Sequence, residues 1–163
     1  MRDDEFERLY AAEAGPLFSF LAYRTGDRAL AEDLLADAFE RALRSRRRFD
    51  RRRASEKTWL YAIALNCLRD HARRRAAESR AMSRAGGEGE GVSEAGVAGV
   101  EDRDLVQRAL ATLSAEEREA IALRFGAELS NPEIARVLGE SLTTVEGRVY
   151  RALRKLRDRL RDD

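Results

Sequence analysis

Between Ala76 and Asp102 the chain has no aromatic residue, no leucine and no isoleucine, but it has six glycines and six acidic residues. Such a stretch cannot bury enough apolar surface to offset the entropy of ordering its backbone. It separates whatever folds before it from whatever folds after it. The expected organisation is a domain at 1–76, a flexible acidic Gly-rich linker at 77–103, and a second domain at 104–163. A length of 163 residues accommodates two small domains. Only two prolines occur, and Ala, Leu, Arg and Glu dominate, so both domains are expected to be all-α.

Three helical patterns precede the linker. The first, from about Asp4 to Tyr23, presents Phe6, Leu9, Tyr10, Leu17, Phe18 and Leu21, with Gly15-Pro16 predicting a break or kink. Thr25-Gly26-Asp27 reads as a turn whose Asp27 caps a second helix carrying Leu30, Leu34, Leu35, Ala38, Phe39, Ala42 and Leu43. After an arginine-rich connection, a third helix spans about Ser55 to Arg75, with Trp59, Leu60, Ile63, Ala64, Cys67 and Leu68 as its expected core face. Three such stripes suffice for a small helical core.

Past the linker, helical spacing returns at Leu105, Val106, Ala109, Leu110 and Leu113. Ser114 and Glu117 form a capping box, and Ile121, Ala122, Leu123 and Phe125 are expected to continue the core. Then come two short patterns separated by Gly139. Ser130 and Glu133 box the first, with Pro132 in its opening turn and Ile134, Ala135 and Leu138 on its apolar face. Thr143 and Glu146 are predicted to box the second, whose Val145, Val149, Ala152 and Leu156 face inward. Its other face carries Thr144, Gly147, Arg148, Arg151 and Lys155. Small polar groups followed by cations suit insertion into a major groove beside phosphates. Taken alone, the segment fits an amphipathic hairpin with a solvated basic face equally well.

The formal net charge of +1 conceals strong segregation. Residues 1–40 hold four Arg against ten acidic residues, whereas 41–53 hold eight Arg against one Asp. Residues 69–75 and 148–161 are again basic. Basic blocks beside apolar helices point to a polyanion. Cys67 is the only cysteine and His71 the only histidine, which excludes an intramolecular disulfide and argues against a Cys/His metal site. No cofactor is expected. Met1 is followed at once by charged residues, and the longest uncharged run outside the linker, Thr58 to Leu68, is too short for a bilayer. A cytoplasmic protein without membrane insertion is expected.

The order of these pieces resembles bacterial RNA polymerase sigma factors of the extracytoplasmic-function group. Three blocks carry the resemblance: Ala31 to Ala42, Lys57 to Arg75, and Leu113 to Leu156. The resemblance implies a region 2-like bundle that docks on core polymerase and melts and reads the −10 element. It also implies a region 4-like helix-turn-helix that reads the −35 element. It places polymerase docking on Asp33, Leu34, Asp37 and Glu40. It assigns −10 DNA to Lys57, Trp59, Asn66, Arg69, Asp70, Arg73 and Arg74, with a base pocket built by the loop Phe49 to Lys57. It assigns −35 DNA to Thr143, Thr144, Glu146, Gly147, Arg148, Arg151 and Lys155. Core polymerase, promoter DNA and an anti-sigma protein are the implied partners.

The residues themselves make chemical sense of the middle block. Trp59, Tyr61, Asn66, Arg69 and Asp70 interleave aromatic surface, hydrogen-bonding groups and cations. Stabilising an opened strand requires stacking surfaces and phosphate contacts of this kind. Trp59 also begins an apolar stripe, so core packing is the plainer role for it. Cys67 is expected in the core and His71 on the helix surface. The run Arg44 to Arg53 fits a DNA contact or a solvated connection. Asp33 and Asp37 share a helix face, and a small nuclease or phosphohydrolase built on them is one rival reading. The other rival is a DNA-binding regulator that works without polymerase. Glu146-Gly147 stands where relatives commonly carry a basic or small polar pair. Glu146 can cap the helix or accept from a cytosine amino group, and Gly147 can admit close approach to DNA or only weaken the helix.

Overall fold

The computed structural model describes residues 1–84 and 101–162. Within them every regular element is helical, and the chain divides between residues 95 and 96 into two compact units. The part of the expected linker at 85–100 lies outside the described residues.

The first unit comprises α1 (Asp3–Thr25), α2 (Arg28–Ser45), a single 3-10 turn (Arg46–Arg48) and α3 (Glu56–Arg84). Its core is built from Leu9, Leu17, Phe20 and Leu21 of α1, from Ala31, Leu34, Ala38, Phe39 and Ala42 of α2, and from Leu60, Tyr61, Ala64, Leu65 and Cys67 of α3. Rings knit the helices together: Phe39 meets Tyr10 at 4.7 Å, and Tyr61 meets Phe20 edge-on at 5.6 Å. Asp27 caps α2 by accepting from the Leu30 amide at 3.1 Å, as its position in the turn predicts.

Three sequence expectations give way here. The helix α1 is continuous through Gly15-Pro16, so of the expected break or kink the break is absent. Ala12, whose carbonyl loses its donor to Pro16, is exposed, so that oxygen can be solvated, while Leu9, Leu17, Phe20 and Leu21 hold both halves against the core. The core face of α3 is rotated by about one residue from the predicted stripe. Thr58, Leu60, Tyr61, Ala64, Leu65 and Cys67 are buried, whereas Trp59, Ile63 and Leu68 are only half-buried. Finally, α3 continues from Ala77 to Arg84, into the stretch expected to be linker. Ala76, Ala77 and Ala81 are strong helix formers, and the helix propagates from a firmly anchored N-terminal half.

The second unit comprises α4 (Glu101–Ala111), α5 (Ala115–Ile121), a π-helical turn (Ala122–Gly126), α6 (Asn131–Leu138) and α7 (Leu142–Asp162). Ala120, Leu123, Leu129, Ile134, Val145 and Ala152 form its centre. The capping boxes predicted at Ser114/Glu117 and Ser130/Glu133 are both present. Gly139 ends α6 at φ 68, a left-handed conformation that glycine adopts without a Cβ penalty. Phe125 is not core: the wide π-helical turn carries its ring out to 53% exposure. Among the described residues, no helix is long and apolar enough to cross a membrane.

Candidate nucleic-acid interface

The first unit positions its candidate site through α3. Ser55 starts this helix, its hydroxyl accepting from the Thr58 amide at 3.1 Å and donating to the Thr58 hydroxyl at 2.8 Å. With Leu60, Tyr61, Ala64 and Leu65 turned inward, the opposite face displays Trp59, Asn66, Arg69 and Arg73 at successive seven-, three- and four-residue spacings. Asn66 and Arg69 are exposed, and neither side chain has a partner among the described residues. Trp59 is half-buried and tilts against Phe49, ring centroids 5.0 Å apart, at the mouth of the loop that precedes the helix. It is therefore a wall of that loop and not a core residue. Tyr61 belongs to the core instead. Its hydroxyl is buried without a partner, and burial pushes its ionisation well above the ordinary tyrosine range. Lys57 sits 6.0 Å from the Tyr61 ring centre.

Asp70 is drawn into an ionic chain. Arg41 of α2 donates to Asp37 at 3.0 Å and to Asp70 at 2.9 Å, and Arg73 pairs with the other oxygen of Asp70. The two guanidinium partners hold the Asp70 carboxyl below its ordinary value. The chain thus fastens the candidate docking helix to the candidate reading helix. On α2, Asp33 and Glu40 are exposed and Asp37 is engaged by Arg41, whereas Leu34, 5% exposed, packs into the core and offers little surface to a partner.

An open cleft of about 290 Å³ lies between α2 and α3, lined by Asp33, Leu34, Asp37, Cys67, His71 and Arg74. His71 is not a plain surface residue, because its Nε2 is buried there without a hydrogen-bond partner. The four-residue step from Cys67 was the sequence signal that both face α2. Burial, with the negative charge of Asp37 adding to it, pushes the Cys67 thiol up to about 12. Arg74 faces this cleft and not the Asn66–Arg69 face.

The arginine run is largely structural. Arg46 pairs with Asp3 at 2.9 Å, and Arg51 joins Glu5 at 2.8 Å to Glu56 at 2.9 Å, tying the connection to α1 and α3. Arg47 and Arg48 remain exposed.

In the second unit, Ser141 rather than Thr143 caps α7. Its hydroxyl accepts from the Thr144 amide at 3.2 Å, and the helix begins at Leu142. A serine at the end of the turn competes better for that position, since the αL glycine at 139 already sets the chain direction. Thr143, Thr144 and Glu146 are thereby exposed in the first turns, with Glu146 released from the capping role. Val145, Val149 and Ala152 are buried behind them, and Leu156 packs at the edge of the cluster around Leu113 and Ile121.

The cations of α7 divide. Arg148 pairs with Glu140 in the turn and is only 18% exposed. Lys155 donates to both carboxylate oxygens of the buried Glu117, at 3.1 and 2.9 Å, locking α5 onto α7. The ammonium holds the Glu117 carboxyl below its ordinary value against the opposing effect of burial. Arg151 is exposed, and its guanidinium folds over Gly147, where an added Cβ would meet Nη1 at 3.1 Å. Together these residues present a polar N-terminal end at Thr143, Thr144 and Glu146, followed by Arg151.

Each of the two units matches a family of known proteins. Residues 9–78 match the family model described as Sigma-70 region 2, and residues 103–156 match Sigma-70 region 4. The chain is 32% identical over 163 residues to the ECF RNA polymerase sigma factor BldN of Streptomyces coelicolor, covering 98% of this chain and 62% of that protein. It is 32% identical over 152 residues to the ECF RNA polymerase sigma factor SigL of Mycobacterium tuberculosis, covering 91% of this chain and 85% of the relative. Among solved structures, the sigma factor RpoE in complex with the anti-sigma factor NepR from Bartonella quintana matches with a TM-score of 0.76 at 26% identity, covering 98% of both chains.

Proposed function

This chain belongs to the RNA polymerase sigma factors of the extracytoplasmic-function group, and on that premise we propose how its residues divide the work of promoter recognition. It is a promoter-specificity factor that directs transcription initiation by core RNA polymerase. In this reading residues 1–76 dock on the polymerase and open the −10 element, and residues 104–163 grip the −35 element.

The observation that carries the assignment is the exposed face of α3. Among the described residues, Asn66 and Arg69 stand unpartnered on the same face of α3 as Trp59, opposite a packed core. An opened strand needs hydrogen-bonding groups and aromatic surface held rigidly, because unstacking a base costs a few kcal/mol that the protein must return. The loop Phe49 to Lys57, walled by the Phe49–Trp59 pair, is the pocket for such a base. Arg73, paired with Asp70 and about 21 Å further along the same face of α3, adds charge at the other end of that surface.

At the −35 element, Thr143, Thr144 and Arg151 form the contact set, with Glu146 free to accept from a cytosine amino group. Arg148 and Lys155 act as positioning residues, since both are tied within their own unit. Asp33, Asp37 and Glu40 make the polymerase-docking face, held to α3 through Arg41.

The factor performs no chemistry of its own in this reading. Arg41 neutralises Asp37 and so takes it out of any dicarboxylate site with Asp33. An anti-sigma protein is its expected inhibitor, by analogy with the Bartonella complex, and the cytoplasm its place of action.

The test is transcription in vitro with core polymerase on a matched promoter. The parent chain should support initiation. The double variant Asn66→Ala/Arg69→Ala should retain polymerase binding but lose open-complex formation by about 10- to 100-fold, the effect of about 1–3 kcal/mol of base discrimination. A parent chain that fails to bind core polymerase defeats the proposal.

A further inference from the structure

Past the core of the first unit, α3 keeps going. From Ala72 to Arg84 every residue is exposed, and among the described residues no hydrogen bond or ion pair anchors the segment to another helix; even Met82 is 62% exposed. In this stretch the described residues carry five arginines against Glu78 alone. Arg80 and Arg84 follow Arg73 by seven and eleven residues, which at 3.6 residues per turn returns them to the same face. That face is the one presenting Asn66 and Arg69. Neither Arg80 nor Arg84 has a side-chain partner among the described residues, and both lie beyond residue 78, where the match to the region 2 family model ends.

A helix end favours cations through its dipole, which accounts for charge in the last turn. It does not account for the alignment of Arg73, Arg80 and Arg84 with the reading face a helix-length away. Like charges along one face of an unsupported helix repel, and an apposed row of anions turns that cost into attraction. The span from Arg73 to Arg84 is about 16 Å at 1.5 Å per residue, close to the axial length of five base pairs of duplex.

We infer that the α3 extension is a phosphate-binding track, in which Arg80 and Arg84 grip the backbone of promoter duplex adjoining the −10 element without reading its sequence. The inference rests on α3 being the −10 helix. The two arginines would add affinity and register to the first unit's hold on DNA, while base discrimination stays with Asn66, Arg69 and the Phe49–Trp59 loop.

The test uses holoenzyme assembled from core polymerase and full-length chain, binding a promoter fragment at 50 and 200 mM salt. For the double variant Arg80→Ala/Arg84→Ala, the slope of log affinity against log salt should fall by about 1.8, at about 0.9 per lost phosphate contact. Lowering the salt would then strengthen the variant about 12-fold less than the parent. The deficit should be the same on promoters with altered flanking sequence, and the charge-keeping variant Arg80→Lys/Arg84→Lys should restore the slope. An unchanged slope in the alanine variant, a deficit that depends on flanking sequence, or a lysine variant as weak as the alanine one each overturns the inference. Failure of the parent holoenzyme to bind promoter at all would instead count against the functional reading. Because both positions are exposed and alanine favours helix, far-ultraviolet circular dichroism of the variant should match the parent.

Discussion

The two candidate reading helices, α3 and α7, present polar faces of similar composition, but they are held in place by different means. Behind α3 stand Leu60, Tyr61, Ala64 and Leu65, each without solvent exposure, so its polar face is free to meet a ligand. Behind α7 stand the smaller Val145, Val149 and Ala152, and the helix is fastened in addition by Arg148 to Glu140 and by Lys155 to Glu117. Apolar area supplies most of a helix's tertiary anchorage. Where that area is small, cations that look like DNA contacts in sequence are spent on packing the fold. A basic helix face therefore overstates the number of phosphate contacts in proportion to how thin the core beneath it is.

The comparison breaks most readily on the register of α3. Tyr61→Ala should destabilise the first unit by about 3–5 kcal/mol, whereas Trp59→Ala should cost about 1 kcal/mol or less. Denaturant unfolding of the full chain measures both, and equal losses would mean that the helix faces the other way. Next comes the division of labour on α7. Lys155→Met should lower the stability of the second unit by about 1–3 kcal/mol, because it strands the Glu117 carboxylate, yet leave the salt slope of −35 binding unchanged. Arg151→Ala should do the reverse, lowering the slope by about 0.9 at little cost in stability. If Lys155 governs the slope, the contrast between the helices disappears.

Acid sharpens the same point. The unfolded chain binds the Glu117 proton more readily than the folded unit does. The contribution is therefore complete at neutral pH and drains away as pH falls below 4.5. Melting curves at descending pH should show the second unit losing stability there, and Glu117→Gln should flatten that dependence. The smallest expected change is at Gly147. Gly147→Ala should stabilise α7 by about 0.5–1 kcal/mol, since the new methyl group meets only the movable end of Arg151. A loss of stability would show that Arg151 cannot yield.

The all-helical class, the two-unit division and the capping boxes at Ser114 and Ser130 could be read from the chain, because they depend on local spacing and on residues three apart. So could the inward set Val145, Val149 and Ala152. The exposure of Asn66 and Arg69 opposite the apolar stripe was legible too, while the role proposed for them came from the resemblance. Less visible was which side of α3 would be buried: Trp59 and Tyr61 are both large aromatics two residues apart, and periodicity alone favours either. Nor could spacing distinguish Ser141 from Thr143 as the cap of α7, since both precede the same apolar run.

What the sequence determined by itself was every property set within one or two turns of helix: where helices form, how they begin, and which blocks are charged. Tertiary structure alone decided which charges are free. Glu117 and Lys155 are 38 residues apart, and Arg41 and Asp70 are 29 apart. Ion pairing depends on distance in space, and helical periodicity carries no information about partners on another helix. The same reason explains why Leu34, an apparent docking residue, is core, and why Arg80 and Arg84 emerge as a free basic face only once α3 is seen to outrun its own domain.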